Sequence, residues 1–328
     1  MNKRSARGRA ALRLTAFFLL GALLLEGFSL LSREMGRDRA ALRNYSTTSF
    51  FAEPRDTIDV LAIGTSSVYS SVAPMEWWNR YGFTGYTWGE PSQRIFETYE
   101  YLKKIYRTQR PAVVFLEVGA LYRDTTRAQV LDSLVKSRLE QAVPLIAYHR
   151  NLDPRKLRNL GAPRHSVTKG FFPRAGTVQS DSLSDYMKAE KSTVPMDPLC
   201  SGELRRCVRL CHRHGSQVVL LSVPDRSSWN GSRHDAVERL AEAWGVPYLD
   251  LNLELREEIN WRTDTVDGGI HLNCAGAGKV TAYLGSYLSS RYRLPDHRGD
   301  AAYSAWNRDW KKFSGVLSAA ERPVSSAA

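Results

Sequence analysis

TIDVLAIGTSS, from Thr57 to Ser67, sets a β-branched apolar run directly against a glycine and a serine-rich turn. The run Thr57 to Ile63 is short and nearly all apolar, which fits a strand buried on both faces. Gly64 closes it, so Ser66 is presented on a turn at the carboxyl end of a strand.

Outward from this run the pattern alternates. Ile95 to Thr108 has helical periodicity and is followed by Pro111, then AVVFLEV (112 to 118) forms a second buried-strand candidate. Leu204 to His214 predicts a helix closed by Gly215, and SQVVLLSV (216 to 223) a third strand. Arg233 to Trp244 predicts a helix closed by Gly245, VPYLDL (246 to 251) a fourth strand, and Gly276 to Arg291 a last amphipathic helix. Strands alternating with helices predict an α/β fold, a parallel sheet with helices on both faces. Such sheets bind ligands at the carboxyl ends of their strands. Residues 120 to 200 are less periodic and read as an insertion. From 294 to 328 the chain reads as a polar, aromatic C-terminal extension with a fraying Ser/Ala-rich tail.

The chain has 328 residues, 43% of them hydrophobic, enough for one large domain with a sizeable core. A net charge of +12 invites a nucleic-acid reading, but the basic residues cluster around one apolar segment. Lys3, Arg4, Arg7, Arg9 and Arg13 precede it, and Arg33, Arg37, Arg39 and Arg43 follow it. No nucleic-acid partner is expected. Cys200, Cys207 and Cys211 share one helix face, with Cys274 apart, which describes buried thiols better than disulfides. No Cys/His cluster has zinc-ligand spacing, so neither a metal nor another cofactor is expected.

That apolar segment, Leu14 to Ser32, is nearly the ~20 residues needed to cross a bilayer. It has no good small-x-small cleavage site after it, so an uncleaved transmembrane anchor is expected. Residues 1 to 13 then form a basic cytoplasmic tail, 33 to 55 a linker, and the catalytic domain faces outward from the cell membrane. Glu26 inside the span either meets a partner in the bilayer or reaches the outer interface.

Chemistry is expected where two motifs meet. The first is Ser66; the second is DTVDGGIHLN (264 to 273), in which His271 has carboxylates a few residues upstream. Acyl transfer needs a hydroxyl, an imidazole to take its proton, and a carboxylate to fix the imidazole tautomer. Two candidates, Asp267 and Asp264, compete for the third place. Asp267 is favoured because Gly268 and Gly269 adopt positive φ cheaply, letting a carboxylate at i−4 fold back to the ring.

IGTSSVYSSVAPMEWW (63 to 78), YTWGEPSQ (86 to 93), YEYLKK (99 to 104), DGGIHLNCAGAGKVTAYL (267 to 284) and LPDHRGDAAYSAW (294 to 306) together resemble SGNH (GDSL-like) hydrolases. Within these they resemble the DltD-like and capsule-locus proteins of Gram-positive bacteria. The resemblance implies an SGNH-type domain over 56 to 293, with Ser66 as nucleophile and His271 as base. It also implies an oxyanion hole from the amides of Ser66 and Gly89. It further implies an extracytoplasmic esterase or O-acyltransferase acting on acyl groups of a cell-surface polymer or acyl donor. Its partner would be a membrane-bound O-acyltransferase, and a non-catalytic binding protein for that enzyme is the alternative. Three positions depart from the family pattern. Ser67 stands where relatives often have His, the usual oxyanion Asn has no equivalent near Glu117 to Ala120, and Gly268 occupies the place usual for the triad carboxylate. Gln93 is a replacement donor for the missing Asn.

Overall fold

The computed structural model describes residues 3–35, 49–159, 165–179, 185–188 and 195–321. Part of the expected linker (36 to 48), parts of the insertion, and the tail beyond Glu321 lie outside the described residues.

Five strands form one wholly parallel sheet: β1 (Val60–Gly64), β2 (Gly85–Gly89), β3 (Val113–Glu117), β4 (Gln217–Ser222) and β5 (Tyr248–Asp250). Their order is β2-β1-β3-β4-β5. The chain leaves β1 toward β2 and returns past β1 to β3, so the order reverses between β1 and β3. Parallel α/β sheets place a ligand crevice at such a reversal, outside the carboxyl ends of the strands.

The helices are α1 (Lys3–Met35), α2 (Ser66–Ser71), α3 (Pro74–Tyr81), α4 (Ile95–Ile105), α5 (Arg127–Ala142), α6 (Pro144–Tyr148), α7 (Pro198–Arg213), α8 (Gly231–Trp244), α9 (Leu251–Glu254), α10 (Cys274–Arg291) and α11 (Ser304–Glu321). Alternate residues of each central strand enter opposite layers, as the period of two requires. Leu61, Ile63, Val114, Leu116, Val218 and Leu220 face one apolar cluster with α4, α7 and α8. Val60, Ala62, Phe115, Val219 and Leu221 face the other with α10. In α10, Val280, Leu284 and Leu288 are fully buried at i, i+4 and i+8. Each contributes about 1.5–3 kcal/mol by leaving water.

The strand runs expected around Ile63, 112 to 118, 216 to 223 and 246 to 251 become β1, β3, β4 and β5. Strand β2 is an addition to that reading. Its GYTWG lacks a β-branched run, and its glycines serve close contacts: a Cβ on Gly85 would meet the ring of Trp77. The loop carrying Lys169 and Gly170 lies along its outer edge, where Thr87 N donates to Lys169 O at 2.9 Å. Gly170, at φ +87°, packs so tightly on Thr87 O that a side chain there would collide with it.

The aromatic part of the extension after Leu294 forms helix α11, which reaches Glu321, and the rest of the Ser/Ala-rich tail lies outside the described residues. Helix α11 buries Trp306 and Phe313, with Trp306 lying 5.5 Å from Trp78 by ring centroid. Its Asp309 and Glu53 both pair with Lys169, a fully buried ammonium 4.3 Å from the Trp306 ring centroid. The three cysteines of α7 are buried and Cys274 is half-buried, and none of the four is in a disulfide. Burial pushes the Cys200 and Cys211 thiols up to about 12, which keeps them unreactive near neutrality.

Helix α1 extends beyond the expected anchor at both ends. Within it Arg9–Ser32 is long and apolar enough to cross a membrane by length and composition, a property shared with signal sequences. Glu26 is exposed on it.

Candidate active site

Strand β1 delivers Ser66 into the crevice. Thr65, in extended backbone, caps α2 by accepting from Ser67 N through Oγ1 at 3.3 Å. This cap turns the chain at the strand end and leaves Ser66 as the first residue of α2. Gly64 is required there, because a Cβ would fall 2.4 Å from the Cβ of Glu117.

The histidine arrives on a pinched loop between α9 and α10. Thr265 and Leu272 form an isolated antiparallel bridge, and both are fully buried. Thr265 Oγ1 donates to His271 O and accepts from Gly269 N. Gly268 and Gly269 take φ of +79° and +129°, so the chain reverses inside four residues. Asp267 Oδ1 then accepts from the backbone N–H of Ile270 and His271, and Oδ2 meets His271 Nδ1 at 2.5 Å. On the opposite ring edge, His271 Nε2 lies 2.8 Å from Ser66 Oγ. Burial acts to raise the Asp267 carboxyl, but the hydrogen bonds from His271 outweigh it and hold it below the usual range. An ionised Asp267 selects the tautomer with the proton on Nδ1, leaving Nε2 to accept from Ser66.

Of the two candidate carboxylates, only Asp267 is placed on the ring. Asp264 is buried and bonded elsewhere: Oδ2 accepts from Asn260 N at 2.8 Å and from Lys279 Nζ at 2.6 Å. Gly89, at the end of β2 in register with Gly64, packs so close to Tyr69 Cδ1 and Thr65 O that a Cβ would not fit. Ser67 is buried in α2. Gln93 requires a correction. It is buried in a turn, accepting from Glu90 N and donating from Nε2 to Thr98 Oγ1, so its carboxamide is spent on local structure.

Four further groups surround the triad. Tyr69 lies one turn after Ser66 on α2, and Arg174 and Ser66 both act on its hydroxyl. Burial raises its pKa, and Arg174 opposes that shift. The Arg174 side chain is half-buried and donates from Nε to Ser70 Oγ at 2.8 Å, while its carbonyl accepts from Cys274 N. Glu117 sits beneath the turn. Its carboxyl accepts from Thr65 N at 3.2 Å and from Gly119 N at 2.5 Å, and burial pushes it up to about 7. Asp225 follows β4 and is raised by burial, with His271 among the charges acting on it. The next residue, Arg226, donates its N–H to Gly269 O at 2.8 Å and braces the loop. Nothing local in the sequence marks these four. Tyr69, Glu117, Arg174 and Asp225 lie about 50 to 160 residues apart, and the fold brings them together.

Among the described residues, a set able to converge on a metal ion is His234, Asp235 and Glu238 on α8. His234 is already bonded through Nδ1 to Asp250 at 2.9 Å.

No protein-family model matches the chain, and no curated protein sequence matches it. Solved structures are similar to it in fold. A GDSL-like lipase from Bacteroides thetaiotaomicron is 12% identical, with a TM-score of 0.39 over 76% of this chain and 98% of that one. A Bacteroides fragilis protein described as an acylhydrolase is 13% identical, with a TM-score of 0.39 over 78% of this chain and 99% of its own. At these values the likeness carries no functional argument. That rests on the triad geometry.

Proposed function

We propose that the chain is a serine hydrolase of acyl esters or thioesters, with Ser66 as nucleophile, His271 as base and Asp267 as the carboxylate that orients it. The observation that carries this is the continuous line from Ser66 Oγ to His271 Nε2 at 2.8 Å and from His271 Nδ1 to Asp267 Oδ2 at 2.5 Å. Ser66 Oγ attacks the carbonyl carbon as its proton passes to Nε2, and the amides of Ser66 and Gly89 hold the oxyanion. The leaving alcohol or thiol takes that proton. Water or a glycan hydroxyl, deprotonated by Nε2, then releases the acyl group and regenerates Ser66.

The finer reading is an enzyme tethered by α1, its catalytic domain outside the cell, acting on acyl groups of cell-wall or capsular polymers. The DltD-like motifs and the apolar α1 support it. They also support a membrane-bound O-acyltransferase as partner. The alternative, a binding module for such a partner, is favoured by one observation: Gln93, the substitute for the missing oxyanion Asn, is engaged elsewhere. A fluorophosphonate probe on the full chain in detergent separates the two. Labelling that disappears in Ser66→Ala supports the hydrolase, and absence of labelling in the wild-type chain favours the binding module.

A further inference from the structure

Helix α5 carries apolar side chains on two faces. Val130 enters the core and Leu134 packs against it, beside buried Ser133, Ser137 and Glu140, the last paired with Arg94, while Leu131, Val135 and Leu139 stand 45%, 56% and 51% exposed. A helix of a soluble protein presents one apolar stripe, so the outward one is surplus to the core. The exposed trio falls at i, i+4 and i+8, a single stripe about 12 Å long at 1.5 Å per residue. Past the end of α5, Ile146 on α6 is 44% exposed and Leu157 is 50% exposed.

What covers this stripe follows from where it sits. Leu145 N, adjacent to Ile146, donates to Ser29 Oγ of α1 at 3.2 Å. Ser29, Ser32 and Met35 are the buried face at the end of α1, whereas its large apolar residues from Leu12 to Phe28 are exposed. Ser29 lies three residues inside the apolar window that ends at Ser32, about 4.5 Å along the axis. The α6 end of this apolar surface is therefore fastened at the depth where α1 would leave the hydrocarbon. Exposed Lys136 and Arg150 beside it suit lipid headgroups.

We infer that α5 and α6 lie in the bilayer surface, with Leu131, Val135, Leu139, Ile146 and Leu157 entering the headgroup–acyl boundary and fixing how the domain leans on the membrane. This rests on the reading of α1 as a retained span, so the experiment tests the two separately. The full chain is reconstituted into phosphatidylcholine/phosphatidylglycerol vesicles, and resistance to alkaline carbonate reports whether α1 spans. A nitroxide at Val135→Cys, with the label on the unsubstituted chain as blank, is then compared with one at Glu257→Cys, an exposed site over the other apolar cluster. Several-fold greater relaxation by oxygen and several-fold less by a water-soluble nickel chelate at 135 than at 257 is expected.

A carbonate-resistant chain whose residue 135 is as open to nickel as 257 overturns the inference and leaves the anchor standing. Shielding of 135 from both relaxants means protein covers the stripe and also overturns it. Release by carbonate overturns both readings.

Discussion

Asp267 holds His271 twice, accepting from its backbone N–H through Oδ1 at 2.9 Å and bonding its ring Nδ1 through Oδ2 at 2.5 Å. Main chain and side chain are clamped by the same carboxylate, so the imidazole is set in orientation and tautomer before any substrate arrives.

The first expectation concerns that clamp. Asp267→Asn should cut turnover of an acetyl ester by about two to four orders of magnitude, because the amide favours the wrong tautomer. Asp264→Asn should leave turnover near wild type and lower stability instead. It loosens a buried carboxylate from Lys279 and from Asn260 N, worth about 1–3 kcal/mol with the lysine partly solvated. Steady-state kinetics and urea unfolding of both variants check the pair; the opposite division of effects would reverse the two roles.

Ser66→Ala should abolish ester turnover and keep the wild-type melting temperature within a few degrees, since the lost hydroxyl bonds His271 within the site. Circular dichroism alongside the ester assay measures both.

Glu117 gives a pH signature. Its carboxyl is raised from 4.5 to about 7, so between those values the folded chain keeps a proton that the unfolded chain has released. Its contribution to stability is thus full below about pH 4.5 and is lost as pH rises through about 7, a fall of about 3 kcal/mol at 1.36 kcal/mol per unit. Glu117→Gln should flatten that slope. Unfolding free energies at pH 4.5 and 8, wild type against variant, test it, and equal slopes refute the protonated carboxyl.

Arg174 donates to Ser70 Oγ on α2, the helix that Ser66 begins, and its charge acts on Tyr69 one turn from Ser66. Esters carrying a carboxylate, such as a succinyl ester, should gain from it more than acetyl esters. Arg174→Met should lower the succinyl-to-acetyl ratio of kcat/KM by about tenfold, the worth of roughly one charge-assisted bond. A ratio unmoved by the substitution or by added salt would remove Arg174 from substrate binding.

The legible parts of the fold were those written in short-range pattern. Buried apolar runs ending at Gly64 or flanked by Pro111 and Gly215 mark strands whatever the rest of the chain does. So do the two glycines after Asp267, whose positive φ is a local property. Strand β2 escaped because it is an edge strand whose glycines answer to Trp77 and Tyr69, contacts that no window of sequence contains. Helix α11 did carry a signal, Trp306, Asp309 and Phe313 at i, i+3 and i+7, but Asp309 interrupts the apolar stripe. The distant Lys169 and His165 are what pair that aspartate in its buried place. Glu117 and Arg174 were illegible for the same reason.

The loop of Lys169 and Gly170 along β2 has one more effect. A parallel sheet offers two open margins, each a row of backbone groups ready to pair with a strand from another molecule. At one margin this loop takes up Thr87 N and crowds the strand with a buried ion cluster, and at the other β5 is three residues long. Neither margin is a template for strand addition, so copies of the chain concentrated together are protected against joining sheet to sheet.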